Sequence, residues 1–336
     1  MPDGGIAEKV DFLRSSAAYP EATARVEVVE THMSWVFLTD RFAYKMKKPV
    51  RYEFLDFRSL NDRRRNCQQE VELNRRLAPA VYLGVVPLTV DRKKGLRLGG
   101  TGTAVDWLVK MQRLPRERML DQVIAERRLD SELLRRLGQF LAAFYRDAEP
   151  VPMSAEAYRR RFAADVSANQ RHLNDVAYGL PRDIIDACCN AQTHFIVSRP
   201  DMLGRRAEEG HIVEAHGDLR PEHICLGDIP QIIDCLEFKR DFRLMDPVDE
   251  LSFLALECEH KGAPAVGGLL LEVYREVTGD FPAKELVDFY KSYRACLRAK
   301  LAVWHLRDDG QLDPQKWLAR ARSYLEIARG YAETLD

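Results

Sequence analysis

The sequence has little of what marks the specialised protein classes. Its 51 lysines and arginines against 52 aspartates and glutamates leave a formal net charge of −1, so no global field draws it to nucleic acid or to an anionic membrane surface. No apolar run approaches the roughly 20 residues that span a bilayer. The start, MPDGGIAEKVDFL, lacks the apolar core of a signal peptide. The seven cysteines are odd in number and none sits in a CxxC spacing, which speaks against a zinc ribbon or a disulfide framework. They lie in apolar patterns and read as buried thiols of a chain kept in a reducing cytoplasm. There are no repeats and no low-complexity tract. What remains is 46% hydrophobic and 31% charged residues over 336 positions, the composition of a globular protein and the length of two domains or lobes.

The periodicity changes along the chain. Residues 1–24 read as an N-terminal extension, an extra helix or a partly disordered segment. RVEVVE, SWVFLTD and RFAYKMKKPV, within 25–50, are short β-type runs broken by polar residues, as in an antiparallel meander. RSLNDRRRNCQQEVELNRRLAP reads as a helix with Ser59 or Asn61 as cap, Leu60, Cys67, Val71, Leu73 and Leu77 as apolar positions, and Pro79 as the stop. YLGVVPLTV and TAVDWLVKMQRL are two more strands, joined by the turn-like DRKKGLRLGG. Residues 25–114 therefore form a small, mainly antiparallel sheet with one long helix. From about 130 the apolar residues recur at three and four, as in Leu133, Leu134, Leu137, Phe140, Leu141 and Phe144. Residues 115–336 are a larger, mainly helical lobe: helical patterns over 149–210, a hairpin at 212–238 that Gly227-Asp228 can turn, and helices to the end. The fold class is α+β and bilobal.

The hairpin is where the chemistry concentrates. HGDLRPEHICL, residues 216–226, places Asp218 in a polar loop, and PQIIDCLEF, 230–238, places Asp234 after a short apolar run. Phosphoryl transfer from ATP needs an acid to orient and deprotonate the attacking hydroxyl. It needs another to hold Mg²⁺ against the phosphates, and a cation for the α- and β-phosphates that is itself held by a carboxylate. Asp218 and Asp234 can supply the acids, Lys45 in FAYKMKK the cation and Glu70 in QQEVELNRRL its partner. Strand alternation puts Lys45 and Lys47 on one face, with Lys48 a further rival, and Glu72 competes with Glu70, so spacing alone does not choose.

HGDLRPEHICL, then IIDCLEF, then DPVDELSFL, all downstream of a strand lysine and a helix glutamate, resembles the aminoglycoside phosphotransferase-like branch of the protein-kinase-like superfamily. FAYKMKKPVRYEFLDFRSLNDRRRNCQQEVELNRRLAPAVYLGVVPL resembles a bacterial group of that branch, some of whose members are fused to a P-loop ATPase domain. No GxxxxGK[ST] occurs here. The resemblance implies an ATP-dependent small-molecule kinase acting on a hydroxyl. It implies Asp218 as catalytic base, His216 as a scaffold histidine of the loop and Asp234 as the metal-binding acid. It implies Lys45 as the phosphate lysine paired with Glu70, and Asp249 as an acid bracing the catalytic loop from the helix behind it. It also implies an adenine-binding hinge at KMQRL, whose Met111, Gln112 and Arg113 would offer backbone groups to the base. The helical residues 149–210 correspond to an insert that helps line a small-molecule acceptor site. DPVDE follows Asp234 by only twelve residues, which leaves little room for a long activation loop or peptide docking.

Two positions depart from the pattern. Where the family carries asparagine five residues after the base, this chain has His223, so Mn²⁺ enters beside Mg²⁺ as a metal the site would take. The turn expected to grip phosphate is THMS, without glycine. Thr31 and Ser34 would have to offer hydroxyls in place of close-approaching backbone amides. These departures keep open a degenerate nucleotide-binding regulator. The basic helix with Arg58, Arg63, Arg64, Arg65, Arg75 and Arg76 keeps open an interaction module, although a solvated face is the simpler reading. Trp35, Trp107, Trp304 and Trp317 fit core positions. A small-molecule acceptor is expected, and neither nucleic acid nor membrane. The acceptor's identity, ATP against GTP and the oligomeric state are not legible.

Overall fold

The computed structural model describes residues 5–52, 55–91, 95–307 and 313–335. In chain order it contains α1 (Ile6–Arg14), β1 (Glu27–Glu30), β2 (Ser34–Leu38), β3 (Phe42–Lys47), β4 (Arg51–Tyr52), β5 (Leu55–Asp56), α2 (Leu60–Asn74), β6 (Tyr82–Asp91), β7 (Gly95–Leu98) and β8 (Thr103–Gln112). There follow α3 (Leu120–Ala125), α4 (Ser131–Arg146), α5 (Ala155–Leu173), α6 (Arg182–Ser198), α7 (Pro200–Glu208), β9 (Val213–Glu214), β10 (Ile224–Cys225), β11 (Gln231–Ile232), β12 (Leu244–Met245), α8 (Pro247–His260), α9 (Ala265–Thr278), α10 (Lys284–Trp304) and α11 (Pro314–Ala332). The chain divides into two compact units. The first runs to Met119 and takes back His223–Asp241; the second holds Leu120–Glu222 and Phe242 onward.

The first unit is built on a six-stranded antiparallel sheet in the order β1-β2-β3-β8-β6-β7. Alternation along β3 gives it two faces. Tyr44 and Met46 point to one, where they pack with Phe37, Leu88 and Leu108 against Val10, Leu13, Ala18 and Tyr19. The N-terminal extension is thus a helix within this core rather than a disordered tail. Its buried Lys9 donates to the Val105 carbonyl at 2.7 Å and to Asp106 at 3.0 Å. The other face carries Ala43 with Val109 and Met111 under Cys67 and Val71 of α2. The helix α2 starts where Ser59 accepts the Asp62 amide. Its inward side is largely polar: Arg63, Asn66, Glu70 and Asn74 are buried, while Glu72 is exposed. Leu60 and Leu73, two of the expected apolar positions, are only partly buried. The expected basic surface is interrupted too, since Arg63 turns inward to Asp106 at 2.8 Å. The segment read as one turn, 91–100, contains β7, which pairs with β6 from Leu88↔Leu98 to Asp91↔Gly95. Residues 92–94 of that segment lie outside the described residues.

The second unit is helical. Asp130 caps α4 by accepting the amides of Glu132 and Leu133; of the expected stripe Leu134, Leu137 and Leu141 are buried, while Leu133, Phe140 and Phe144 are only partly so. The expected helical stretch over 149–210 is α5, α6 and α7, with Pro181 at the break before α6. Phe162, Phe195, Phe289, Tyr290 and Tyr293 form an aromatic cluster among α5, α6 and α10, Phe195 stacking on Phe289 at 4.6 Å. All seven cysteines are buried and none forms a disulfide. Trp304 departs from its expected core position, being 37% exposed at the end of α10. No helix among the described residues is long and apolar enough to cross a membrane.

Candidate active site

In the first unit the lysine, the helix glutamate and the second acid come together. Lys45 leaves β3 on the α2 face. Its Nζ donates to Glu70 Oε1 at 2.9 Å and to Asp234 Oδ1 at 2.6 Å. Lys47, two residues on and on the same face, contacts the other Glu70 oxygen and Glu237. Both lysines therefore meet Glu70, where one was expected. Accessibility separates them: the Lys45 side chain is 13% exposed and that of Lys47 only 1%. Lys48 lies elsewhere, paired with Glu30 and stacked over Trp35. Burial pushes the Glu70 carboxyl up, but Lys45 and then Lys47 outweigh it and hold it below the usual carboxylate range. Burial would lower both ammonium groups; their carboxylate neighbours raise them above the ordinary lysine value.

The segment carrying Asp234 follows the hairpin β10–β11, which pairs Ile224↔Ile232 and Cys225↔Gln231. The connection is the longer loop 226–230 rather than a two-residue turn. Ile233 N–H donates to the His223 carbonyl at 2.9 Å. Asp234 then takes φ 62°, the left-handed region a side chain seldom adopts. Tyr82 Oη accepts its N–H at 3.0 Å, and Asn74 Oδ1 accepts that of Cys235 at 2.8 Å. Desolvation pushes the Asp234 carboxyl up, although 44% of its side-chain surface is accessible. Lys45 and then His223 outweigh it and hold the acid well below its usual range. His223 is buried, its Nε2 3.6 Å from Asp234 Oδ2.

That donor set suits a divalent cation held by one carboxylate, water and phosphate oxygens, the usual manner of Mg²⁺. The imidazole would add a nitrogen ligand of the kind Mn²⁺ or Co²⁺ accepts. No cluster of three or more His, Cys, Asp or Glu able to hold a metal occurs among the described residues.

The turn Thr31–Ser34 corrects one expectation. The Thr31 hydroxyl donates to the Ser34 carbonyl at 3.1 Å and accepts the Ser34 amide at 3.0 Å. The Ser34 hydroxyl is buried without a hydrogen-bond partner among the described residues. Both hydroxyls are thus turned to the protein and not outward to a phosphate. The three-residue β1–β2 connection, Thr31 to Met33, has no glycine and is closed by the Thr31 side chain. The expected hinge is also shorter than the sequence suggested. Met111 and Gln112 still pair in β8, and the amides of Gln112 and Arg113 are taken by the carbonyls of Val81 and Arg41. Only Arg113 and Leu114 lie beyond the strand.

In the second unit Asp218 sits in the loop after β9. The buried His216 accepts the Asp218 amide on Nδ1 at 3.2 Å, fixing the loop from inside. Arg220 Nε donates to Asp218 Oδ2 at 3.1 Å, and its Nη1 to Glu222 at 2.8 Å. The brace behind the loop is Glu250, where Asp249 was expected. Glu250 accepts the amides of His216 at 3.0 Å and Gly217 at 2.6 Å, and the Tyr145 hydroxyl at 2.8 Å. Asp249 instead grips Arg294 of α10 at 2.7 and 2.5 Å. Adjacent residues on a helix point about 100° apart, so only one of the two acids can face the loop. Burial pushes the Glu250 carboxyl above the usual range despite its three donors.

No family model matches the chain. An uncharacterized protein of Mycobacterium tuberculosis (strain H37Rv) is 32% identical over 282 residues, covering 82% of this chain and 54% of the relative. The chain thus spans about half the length of the curated relatives it matches. Among solved structures, the GDP complex of wild-type aminoglycoside 2′-phosphotransferase-IIIa superposes with TM-score 0.57 at 15% identity, over 97% of this chain and 99% of that one. A choline/ethanolamine kinase family protein from Mesorhizobium loti gives 0.54 at 14%, over 97% and 99%. LicA in complex with AMP gives 0.52 at 15%, over 97% and 100%.

Proposed function

From a fold that this chain shares with aminoglycoside phosphotransferases and choline kinases, the α+β protein-kinase-like fold, we propose that it is an ATP-dependent phosphotransferase acting on a hydroxyl of a small molecule. The observation that carries the reading is the Lys45–Glu70–Asp234 set, with Lys45 held between two carboxylates and still reachable from solvent. Its ammonium would bind the α- and β-phosphates, the part a strand lysine plays in this chemistry. Asp234 would hold Mg²⁺, which neutralises charge on the phosphates when bound. His223 stands beside Asp234 as a further ligand or as a scaffold. Asp218 would accept the proton of the acceptor hydroxyl as its oxygen attacks the γ-phosphorus and the bond to the β–γ bridging oxygen breaks, releasing ADP. His216 and Glu250 would keep that carboxylate in place through the loop backbone, and Arg220 would orient it.

The self-closed Thr31–Ser34 turn favours a second reading, a nucleotide-binding regulator without turnover, because the part that usually wraps the phosphates offers no hydroxyl here. The deciding experiment is nucleotide consumption by the purified chain, with ATP or GTP and Mg²⁺ or Mn²⁺, across a panel of hydroxyl-bearing metabolites. Acceptor-dependent ADP formation that vanishes in Asp218→Asn supports the enzyme. Nucleotide binding without turnover supports the regulator, and no nucleotide binding refutes both.

A further inference from the structure

Five side chains of the first unit form an unbroken row of alternating charge: Asp234, Lys45, Glu70, Lys47 and Glu237. Side-chain exposure falls along it, from 44% at Asp234 and 13% at Lys45 to 0% at Glu70 and 1% at Lys47, with 8% at Glu237. The outer members belong to the proposed nucleotide site. The inner pair, Lys47 and Glu237, cannot touch a ligand from where they lie, with Lys47 closed in further by the Phe57 ring. Burying such a pair is costly, and well-packed apolar residues would often serve stability as well or better. Its geometry has a use, however. Glu237 stands three residues after Asp234, on the segment whose backbone turns through the unfavourable φ of 62°. Lys47 ties that segment to β3 through Glu237, and takes the Glu70 oxygen that Lys45 does not use.

We propose that Lys47 and Glu237 are positioning residues for the metal site: the pair holds Asp234 in its left-handed turn. This rests on the nucleotide-binding reading above. It predicts that removing the pair damages the metal-dependent part of nucleotide affinity and leaves the metal-free part alone, because Lys45 and Glu70 remain paired without it.

The test is calorimetric binding of a non-hydrolysable ATP analogue to the full chain, with and without Mg²⁺, for wild type and for the double variant Lys47→Met/Glu237→Leu, with Tm measured alongside. The expected result is a folded variant whose Tm falls less than that of Lys47→Met alone, unchanged metal-free affinity, and a loss of about tenfold or more in the enhancement by Mg²⁺, the scale on which groups supporting a metal ligand act. If the double variant does not fold, Glu237→Leu alone, which removes the tie to the Asp234 segment and leaves Lys47 on Glu70, carries the same criterion. A folded variant with wild-type enhancement overturns the proposal, and so does an equal loss with and without metal, which would mark a merely structural pair. Wild type that binds the analogue with no metal dependence overturns the underlying reading of Asp234 and this inference with it.

Discussion

Replacing the two β3 lysines one at a time separates a ligand-facing cation from a structural one. Lys47→Met leaves Glu237 and one Glu70 oxygen without their ammonium partner in a site where Lys47 is 0% exposed. Removing one member of a buried pair costs about 3–5 kcal/mol, which in a protein of this size lowers Tm on the order of 10 °C. Lys45→Met also removes a shared ammonium, but Glu70 keeps Lys47 and Asp234 meets water over 44% of its side-chain surface. Its cost should be nearer 1 kcal/mol, as for solvent-screened pairs. The order reverses for nucleotide. A charge-assisted hydrogen bond to phosphate contributes about 1.5–3 kcal/mol, so Lys45→Met should weaken metal-free ATP binding roughly 10- to 150-fold, and Lys47→Met should change it little. Thermal denaturation and equilibrium binding on the same preparations give both quantities. Equal Tm losses would refute the burial argument, and a larger affinity loss in Lys47→Met would refute the choice of Lys45 as the phosphate-binding group.

Asp218→Asn should keep fold and nucleotide binding and lower turnover by about 10²- to 10⁴-fold, the usual contribution of a general base; near wild-type turnover with the true acceptor would remove Asp218 from that role. Glu250→Gln should sit badly, since an amide nitrogen must face a backbone N–H that the carboxylate accepts; the expected cost is about 1–3 kcal/mol, read by denaturation, together with a kcat loss exceeding any change in nucleotide affinity. His223→Asn should raise activity with Mg²⁺ relative to Mn²⁺ if the imidazole ligates the metal, and an unchanged ratio assigns the histidine to the loop instead. Glu70 is held below its ordinary value near 4.5, so the stability it adds is present above that pH and is lost as pH falls through its depressed folded-state pKa. Acid denaturation below about pH 4.5 should therefore be shallower in Glu70→Gln than in wild type, and parallel curves would show that this carboxyl does not drive it.

The strands of the small sheet, the helix after them and the helical remainder were legible because each rests on local periodicity: alternation in FAYKMK, three-and-four spacing in the helix at 131–146, and polar breaks between strands. The family resemblance pointed to Lys45, Glu70, Asp218 and Asp234 as candidates, since a motif records which groups must occur and in what succession. What the sequence could not express is which of two neighbours faces inward. Lys45 and Lys47 share a strand face, and only the cover provided by Glu237 and Phe57 closes off one of them. Asp249 and Glu250 are adjacent, and only the directions in which α10 and the Asp218 loop lie give the first to Arg294 and the second to the loop amides. Val10 and Leu13 already have helical spacing in the sequence, but their burial depends on a sheet face formed by residues up to a hundred positions away. Nothing in the sequence sets Glu237 apart; its contact with Lys47 follows from the turn at Asp234. Spacing is a property of neighbours along the chain and is decided locally, whereas partnership depends on which distant surface arrives opposite a side chain and is decided only by packing.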